Sequence, residues 1–229
     1  ETHRDRVQPV RPIELEVLAG VEHVEPADPR RDGEAEEPRL PAATPAGGEP
    51  PAHRRDRHRE AERAYQWLAD VQRPDGSWHQ YYLADRVEQD KLDANVIAYV
   101  AAGAWHRWLC TRDRGFAETM WPVVERAIDW VLDLQTPRGE ILWARHADGT
   151  PWSFALLTGS SSICHSLRCS LAIAAELGHE RPNWELAASK LFRVIRDDPD
   201  AFAPKHRWAM DWYYPVLCGV VTGAAGRER

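Results

Sequence analysis

Two stretches of this 229-residue chain are near copies of each other. Glu62-Arg63-Ala64-Tyr65-Gln66-Trp67-Leu68-Ala69-Asp70-Val71-Gln72-Arg73-Pro74-Asp75-Gly76 matches Glu125-Arg126-Ala127-Ile128-Asp129-Trp130-Val131-Leu132-Asp133-Leu134-Gln135-Thr136-Pro137-Arg138-Gly139 at eight of fifteen positions, offset by 63 residues. A repeat constrains the fold more than composition does, because each unit must bury its apolar face against the next. In each copy, apolar positions recur every three or four residues and Gln-x-Pro-x-Gly then ends the helix. A polar loop and a second, more apolar helix follow. The spacing predicts an amphipathic outer helix near Phe116 to Gln135, with Glu125, Asp129 and Asp133 toward water, and a third outer helix from Trp184 to Arg196. It predicts apolar inner helices from Leu92 to Cys110 and from Ser161 to Leu177, with a third starting near Trp208. The first inner helix is apolar on every side and reads as buried.

Alternating wet and buried helices at this interval imply an all-α fold, an α/α toroid in which inner helices form one ring and outer helices a second. About three hairpins fit between Glu60 and Arg229, where a closed ring generally takes five to seven. The chain therefore reads as a fragment or an open arc, whose flanks invite self-association.

The repeat domain is expected over residues 58–229. All 21 aromatic residues lie at or after Tyr65, and nine prolines precede Ala52. Residues 1–57 therefore read as disordered or non-native, since they cannot bury enough apolar area to offset their ordering entropy. The alternation of Ile13, Leu15 and Val17 suggests at most one short strand. Arginine outnumbers lysine 26 to 3, so a misread upstream frame or a trimmed chain would also account for this segment.

A net charge of −7 advertises no nucleic-acid or anionic-membrane surface. The longest apolar run, Val96 to Trp105, is half of the ~20 residues that a membrane span requires. Cys110, Cys164, Cys169 and Cys218 form no metal knuckle and no dense disulfide framework, so a cytoplasmic protein with reduced thiols is expected.

Gln72-Arg73-Pro74-Asp75-Gly76-Ser77-Trp78 resembles the Gln-Trp motif of the prenyltransferase and squalene-oxidase repeat, shared by terpenoid cyclases and protein prenyltransferase β subunits. The resemblance implies an α/α toroid in which the glutamine caps a neighbouring helix, so Gln72 and Trp78 inherit a stapling role. The second copy places its tryptophan, Trp143, two positions late. The stretch also resembles actinobacterial proteins that carry a prenyltransferase label on the strength of this repeat, and six-hairpin glycosidases share the double ring. The DxDD acid of class II cyclases has no counterpart, since Asp90-Lys91-Leu92-Asp93 has the wrong spacing. Asp197-Asp198-Pro199-Asp200 approaches the DDxxD magnesium site of class I enzymes but reads as a helix-ending turn. No cofactor is evident, magnesium enters only if a diphosphate is handled, and no metal site can be placed.

In a double ring the inner helices run the same way, so their N-terminal ends line one mouth, where free N–H groups favour anions. The candidates lie there. Asp93 and Asn95 open the first inner helix, Thr158 to Ser162 and His165 the second, and Asp211 the third. Flanked by Trp208, Trp212, Tyr213 and Tyr214, Asp211 is expected to be partly desolvated, which suits a general acid; the alternative for Asp211 and Asp93 alike is a helix N-cap. Arg168, on an otherwise uncharged helix, needs an anion: Asp93, Glu140 or a substrate group. His165 and Cys169 share a helix face and read as a satisfied core pair. Two substrate classes follow. An isoprenoid would be handled by a prenyltransferase- or cyclase-like enzyme, with Asp211 starting the reaction. A saccharide would be handled by a glycosidase, with Asp211 and either Asp93 or Glu140 flanking the bond and aromatic rings as platforms. A non-catalytic repeat module is the third reading.

Overall fold

The computed structural model describes residues 52–83, 86–204 and 210–228, with side chains from His58 onward. The predicted disorder before position 52, the strand near Ile13 and the aromatic Trp208 lie outside the described residues.

The fold is all-α. Helix α1 spans Ala52–Val71, α2 Ala94–Thr111, α3 Arg114–Leu132, α4 Leu157–Leu177, α5 Pro182–Asp197, α6 Met210–Leu217 and α7 Gly223–Glu228. Four short strands decorate the loops: β1 (Tyr81–Leu83) pairs with β2 (Arg86–Gln89), and β3 (Leu92–Asp93) with β4 (Ala144–Arg145), both antiparallel. Helix α4 is central, packing on α2, α3, α5 and α6. The inner helices α2, α4 and α6 are thus neighbours in chain order, and α3 fills the groove outside α2 and α4.

The core is built from the predicted faces. On α3, Ala117, Met120, Trp121, Val124, Ala127, Ile128 and Val131 are buried at helical spacing. On α5, Trp184, Ala188, Leu191 and Ile195 are buried. Inner helix α4 hides Ile163, Leu167 and Ile173 together with five serines and two cysteines, small residues that let α2 approach closely.

The repeat is executed in hydrogen bonds. Gln72 Nε2 donates to the carbonyls of Gly76 (3.0 Å) and Val123 (2.9 Å), and Gln135 Nε2 donates to those of Gly139 (2.9 Å) and Ala187 (2.9 Å). Each glutamine so fastens the end of one outer helix to the middle of the next. The two glycines are required: Gly76 (φ +94°) and Gly139 (φ +121°) press against the backbone carbonyls of Arg126 and Lys190, leaving no room for a Cβ. Trp78 is buried and donates Nε1 to the Leu68 carbonyl. Its counterpart 63 residues on is Ile141, also buried, and Trp143 is free for another use.

Three expectations need correction. Helix α2 is not buried all round, because Val96 and Tyr99 are 40% and 43% exposed. Asp129 and Glu125 do not simply face water: Asp129 Oδ1 accepts a bond from Trp184 Nε1 (2.7 Å) and Glu125 pairs with Arg181, tying α3 to α5. Helix α4 starts at Leu157, a full turn before Ser161, because its cap is supplied by another helix, as described next.

Candidate functional site

The N-terminal turns of α2, α4 and α6 come together at one end of the molecule, which each chain segment reaches from the end of the preceding outer helix. Helix α2 is anchored there by the β3–β4 pair and by a bond from the Ala94 N–H to the Trp143 carbonyl (2.9 Å). Helix α4 begins at Leu157 with no side-chain cap from its own N-cap residue, Leu156. Asp211, the second residue of α6, supplies it: Asp211 Oδ1 accepts from the Thr158 N–H (3.2 Å) and the Thr158 hydroxyl (2.5 Å). Asp211 therefore caps a neighbour's helix, and these two bonds fix the orientation of a half-buried carboxyl group. Both bonds fall on Oδ1; among the described residues Oδ2 carries none.

Asp93 is the N-cap of its own helix, its Oδ1 accepting from the N–H groups of Asn95 (3.0 Å) and Val96 (3.2 Å). Oδ2 lies 3.8 Å from Lys91 Nζ. Burial raises the Asp93 carboxyl above the usual carboxylate range, against these bonds, the nearby ammonium and a bond from Trp143. Burial likewise pulls the Lys91 ammonium down, despite Asp93. Both shifts say that desolvation outweighs attraction in this pair. Asp93 thus serves as the N-cap of α2.

Aromatic residues flank this end on two sides. On α6, Trp212 is 57% exposed and packs edge-on against Tyr213 (ring centroids 5.1 Å apart), which leans on Tyr214 (5.3 Å). A bond with Tyr99 of α2 pushes the Tyr214 phenol up to about 12, so the two inner helices share one aromatic face. On the loop after α3, Trp143 stacks with Phe154 (5.5 Å) and meets Trp152 edge-on (4.7 Å), Trp152 stacks on His146 (4.9 Å), and Lys91 Nζ sits 3.8 Å over Trp143. This second cluster was missed in the sequence because Trp143 looked like a displaced motif residue. Counting 63 residues back from Ile141 to Trp78 is the signal that releases it.

Asn95, Ile141, Trp143, Leu156, Gly159, Ser160 and Ile163 close around a shallow depression between the first turns of α2 and α4 that is too tight to hold a water molecule. Asn95 thus stands beside the start of α4. Glu140 adjoins Ile141 in sequence, half-buried, and its Oε2 has no hydrogen-bond partner among the described residues. The remaining candidates lie elsewhere. Arg168 pairs with neither Asp93 nor Glu140 among the described residues; its Nη1 donates to the Cys218 carbonyl (3.4 Å) just past the end of α6, where a cation suits the exposed carbonyls. His165 contacts Cys169 Sγ (3.6 Å), and burial together with Arg168 lowers its pKa. Among the described residues no group of three or more His, Cys, Asp or Glu could hold a metal ion, and no helix is long and apolar enough to cross a membrane.

No family model matches the chain. A curated relative from Mycolicibacterium hassiacum, named MMP endo-(1,4)-3-O-methyl-alpha-D-mannosidase, is 52% identical over 169 residues, which is 74% of this chain. The chain spans about half, 47%, of that relative's length. This likeness overturns the prenyltransferase resemblance and the transferase chemistry attached to it. The Gln-Trp motif encodes a mechanical staple between outer helices, and a staple says nothing of the reaction at the other helices' ends.

Proposed function

We propose that this chain acts as a glycoside hydrolase on (1,4)-linked α-mannose chains that carry 3-O-methyl groups. The observation that carries the reading is the 52% identity to the mannosidase. What supports it is an oriented carboxyl group, Asp211, beside Trp212 and Tyr213, rings of the kind on which sugars stack.

Hydrolysis needs two carboxyl groups, one to protonate the departing glycosidic oxygen and one to act on the other side of the anomeric carbon. The C1–O bond breaks, water supplies a hydroxyl to C1, and its second proton is taken up by the group that is then basic. With Asp93 spent on its cap, Asp211 and Glu140 are the pair we assign. Asp211 is held by Thr158, and the buried Oε2 of Glu140 has no hydrogen-bond partner among the described residues. Trp212, Tyr213 and Tyr214 form the platform beside Asp211, and Asn95 and Trp143 the wall opposite.

The test is incubation of the full chain with a (1,4)-linked 3-O-methyl-α-mannose oligosaccharide, reading new reducing ends. Hydrolysis by the wild-type chain and a loss of about 100-fold or more in Asp211→Asn support the reading. An inactive wild-type chain overturns it, and an unimpaired Asp211→Asn overturns the assignment of Asp211.

A further inference from the structure

The turns that stop the outer helices leave the same mark wherever they land. The turn closing α1 lands on α3: Gln72 Nε2 donates to the Val123 carbonyl, Gly76 presses on the Arg126 carbonyl, and Asp75 reaches the Trp130 indole. The turn closing α3 lands on α5, with Gln135 on Ala187 and Gly139 on Lys190. The receiving stripe, spaced i, i+4, i+7, is buried in both cases. Val123, Ala127 and Trp130 form it on α3 and Ala187, Leu191 and Val194 on α5, none more than 7% exposed.

Helix α1 carries the same stripe, and there it is open. Glu60, Ala64 and Trp67 hold the three positions and all are exposed, Trp67 by 43%. On one side Trp67 is attended as Trp130 is: Arg145 lies 5.2 Å from the Trp130 ring, and 63 residues earlier Tyr82 meets Trp67 edge-on at 5.3 Å. The covering turn is what differs, since among the described residues none reaches Trp67 as Asp75 reaches Trp130. The arginine of the stripe matches too. Arg126 donates to Gln72 Oε1 from Nε (3.1 Å) and Nη2 (2.5 Å), whereas its counterpart Arg63 has no hydrogen bond or ion pair among the described residues. Glu60 is polar where α3 has valine, but a stapling glutamine uses the backbone carbonyl there, which every residue offers.

We propose that the exposed stripe from Glu60 to Trp67 is the docking seat for a further helical hairpin that ends in a Gln-x-Pro-x-Gly turn. The incoming glutamine donates to the Glu60 carbonyl and accepts from Arg63, its glycine lies on the Arg63 carbonyl, and the turn covers Trp67. A glycine is required for that approach, as at Gly76 and Gly139. A second copy of this chain has no such turn to offer, because both of its own are held by α3 and α5. Length agrees with a hairpin as the occupant: the chain spans 47% of the mannosidase, whose remaining length has room for further units of this 63-residue interval.

The test co-expresses the full chain with the part of the Mycolicibacterium mannosidase outside the 169 matched residues, so that the two can fold against each other. A one-to-one complex by light scattering is expected, with amide exchange slowed over residues 60–67 of this chain. Ala64→Arg, at an exposed position, should leave the melting temperature of the chain alone unchanged and weaken the complex about tenfold or more. Arg63→Met, which removes only an unpaired guanidinium, should weaken it as well. Absence of a complex, a complex that both variants leave intact, or a dimer of the chain alone that Ala64→Arg dissociates would overturn the proposal.

Discussion

Gln72 and Gln135, 63 residues apart, hold the same post in consecutive hairpins, each donating through Nε2 to a glycine carbonyl four residues on and to a carbonyl in the next outer helix. The repeat visible in the sequence is thus a repeat of hydrogen bonds. Gln135→Ala leaves the Gly139 and Ala187 carbonyls without that donor and should cost about 1–3 kcal/mol in urea unfolding. Gly76→Ala should cost more than about 2 kcal/mol, since it combines a positive φ with overlap on the Arg126 carbonyl.

A second prediction concerns pH. The Asp93 carboxyl is raised by burial, so the folded state favours its protonated form more than the unfolded state does. Its contribution to stability is therefore full below the ordinary carboxylate range and is lost as pH rises through the raised value. Asn keeps the cap acceptor, so Asp93→Asn should flatten this acidic-side decline. Asp93→Ala should lower stability by about 1 kcal/mol throughout, through loss of the cap. Urea midpoints measured from pH 3 to 7, a window of about four units that brackets the carboxylate range, read both effects.

The outer helices, their buried faces and their stops were legible in the sequence because periodicity and Gln-x-Pro-x-Gly are local signals. The inner helices were legible as elements but not in their boundaries. Helix α4 starts a turn early because Asp211, 53 residues beyond Thr158, supplies its cap, and no local pattern reveals that partner. The exposed stripe of α2 was invisible for a related reason. Val96 and Tyr99 have the composition of core residues, and only the packing shows that they stay partly exposed, with Tyr99 bonded to Tyr214 of α6. Asp211 and Asn95 were singled out by their place at helix starts, whereas Trp143 is seen beside α2 only once the loop after α3 is folded onto Ala94 and Lys91.

A third prediction follows from thiol burial. Desolvation pushes Cys164 and Cys169 up to about 12 and Cys218 up to about 11, and all three side chains are buried, whereas Cys110 is exposed. Thiolates are the reacting species, so iodoacetamide at pH 8 should label one cysteine in the folded chain and all four in denaturant. Labelling of Cys164 or Cys169 at the rate of Cys110 would contradict the packing of α4.

On the proposed function, the converging first turns of α2, α4 and α6 form a saccharide site. Amide hydrogen exchange on the full chain, with and without a 3-O-methylated (1,4)-linked α-mannose tetrasaccharide, tests it most directly. Sugar should slow exchange in the segments 93–98, 157–162 and 210–214 and leave the outer helices α3 and α5 unchanged. Slowing confined to α3 or α5, or no slowing at saturating sugar, would contradict it.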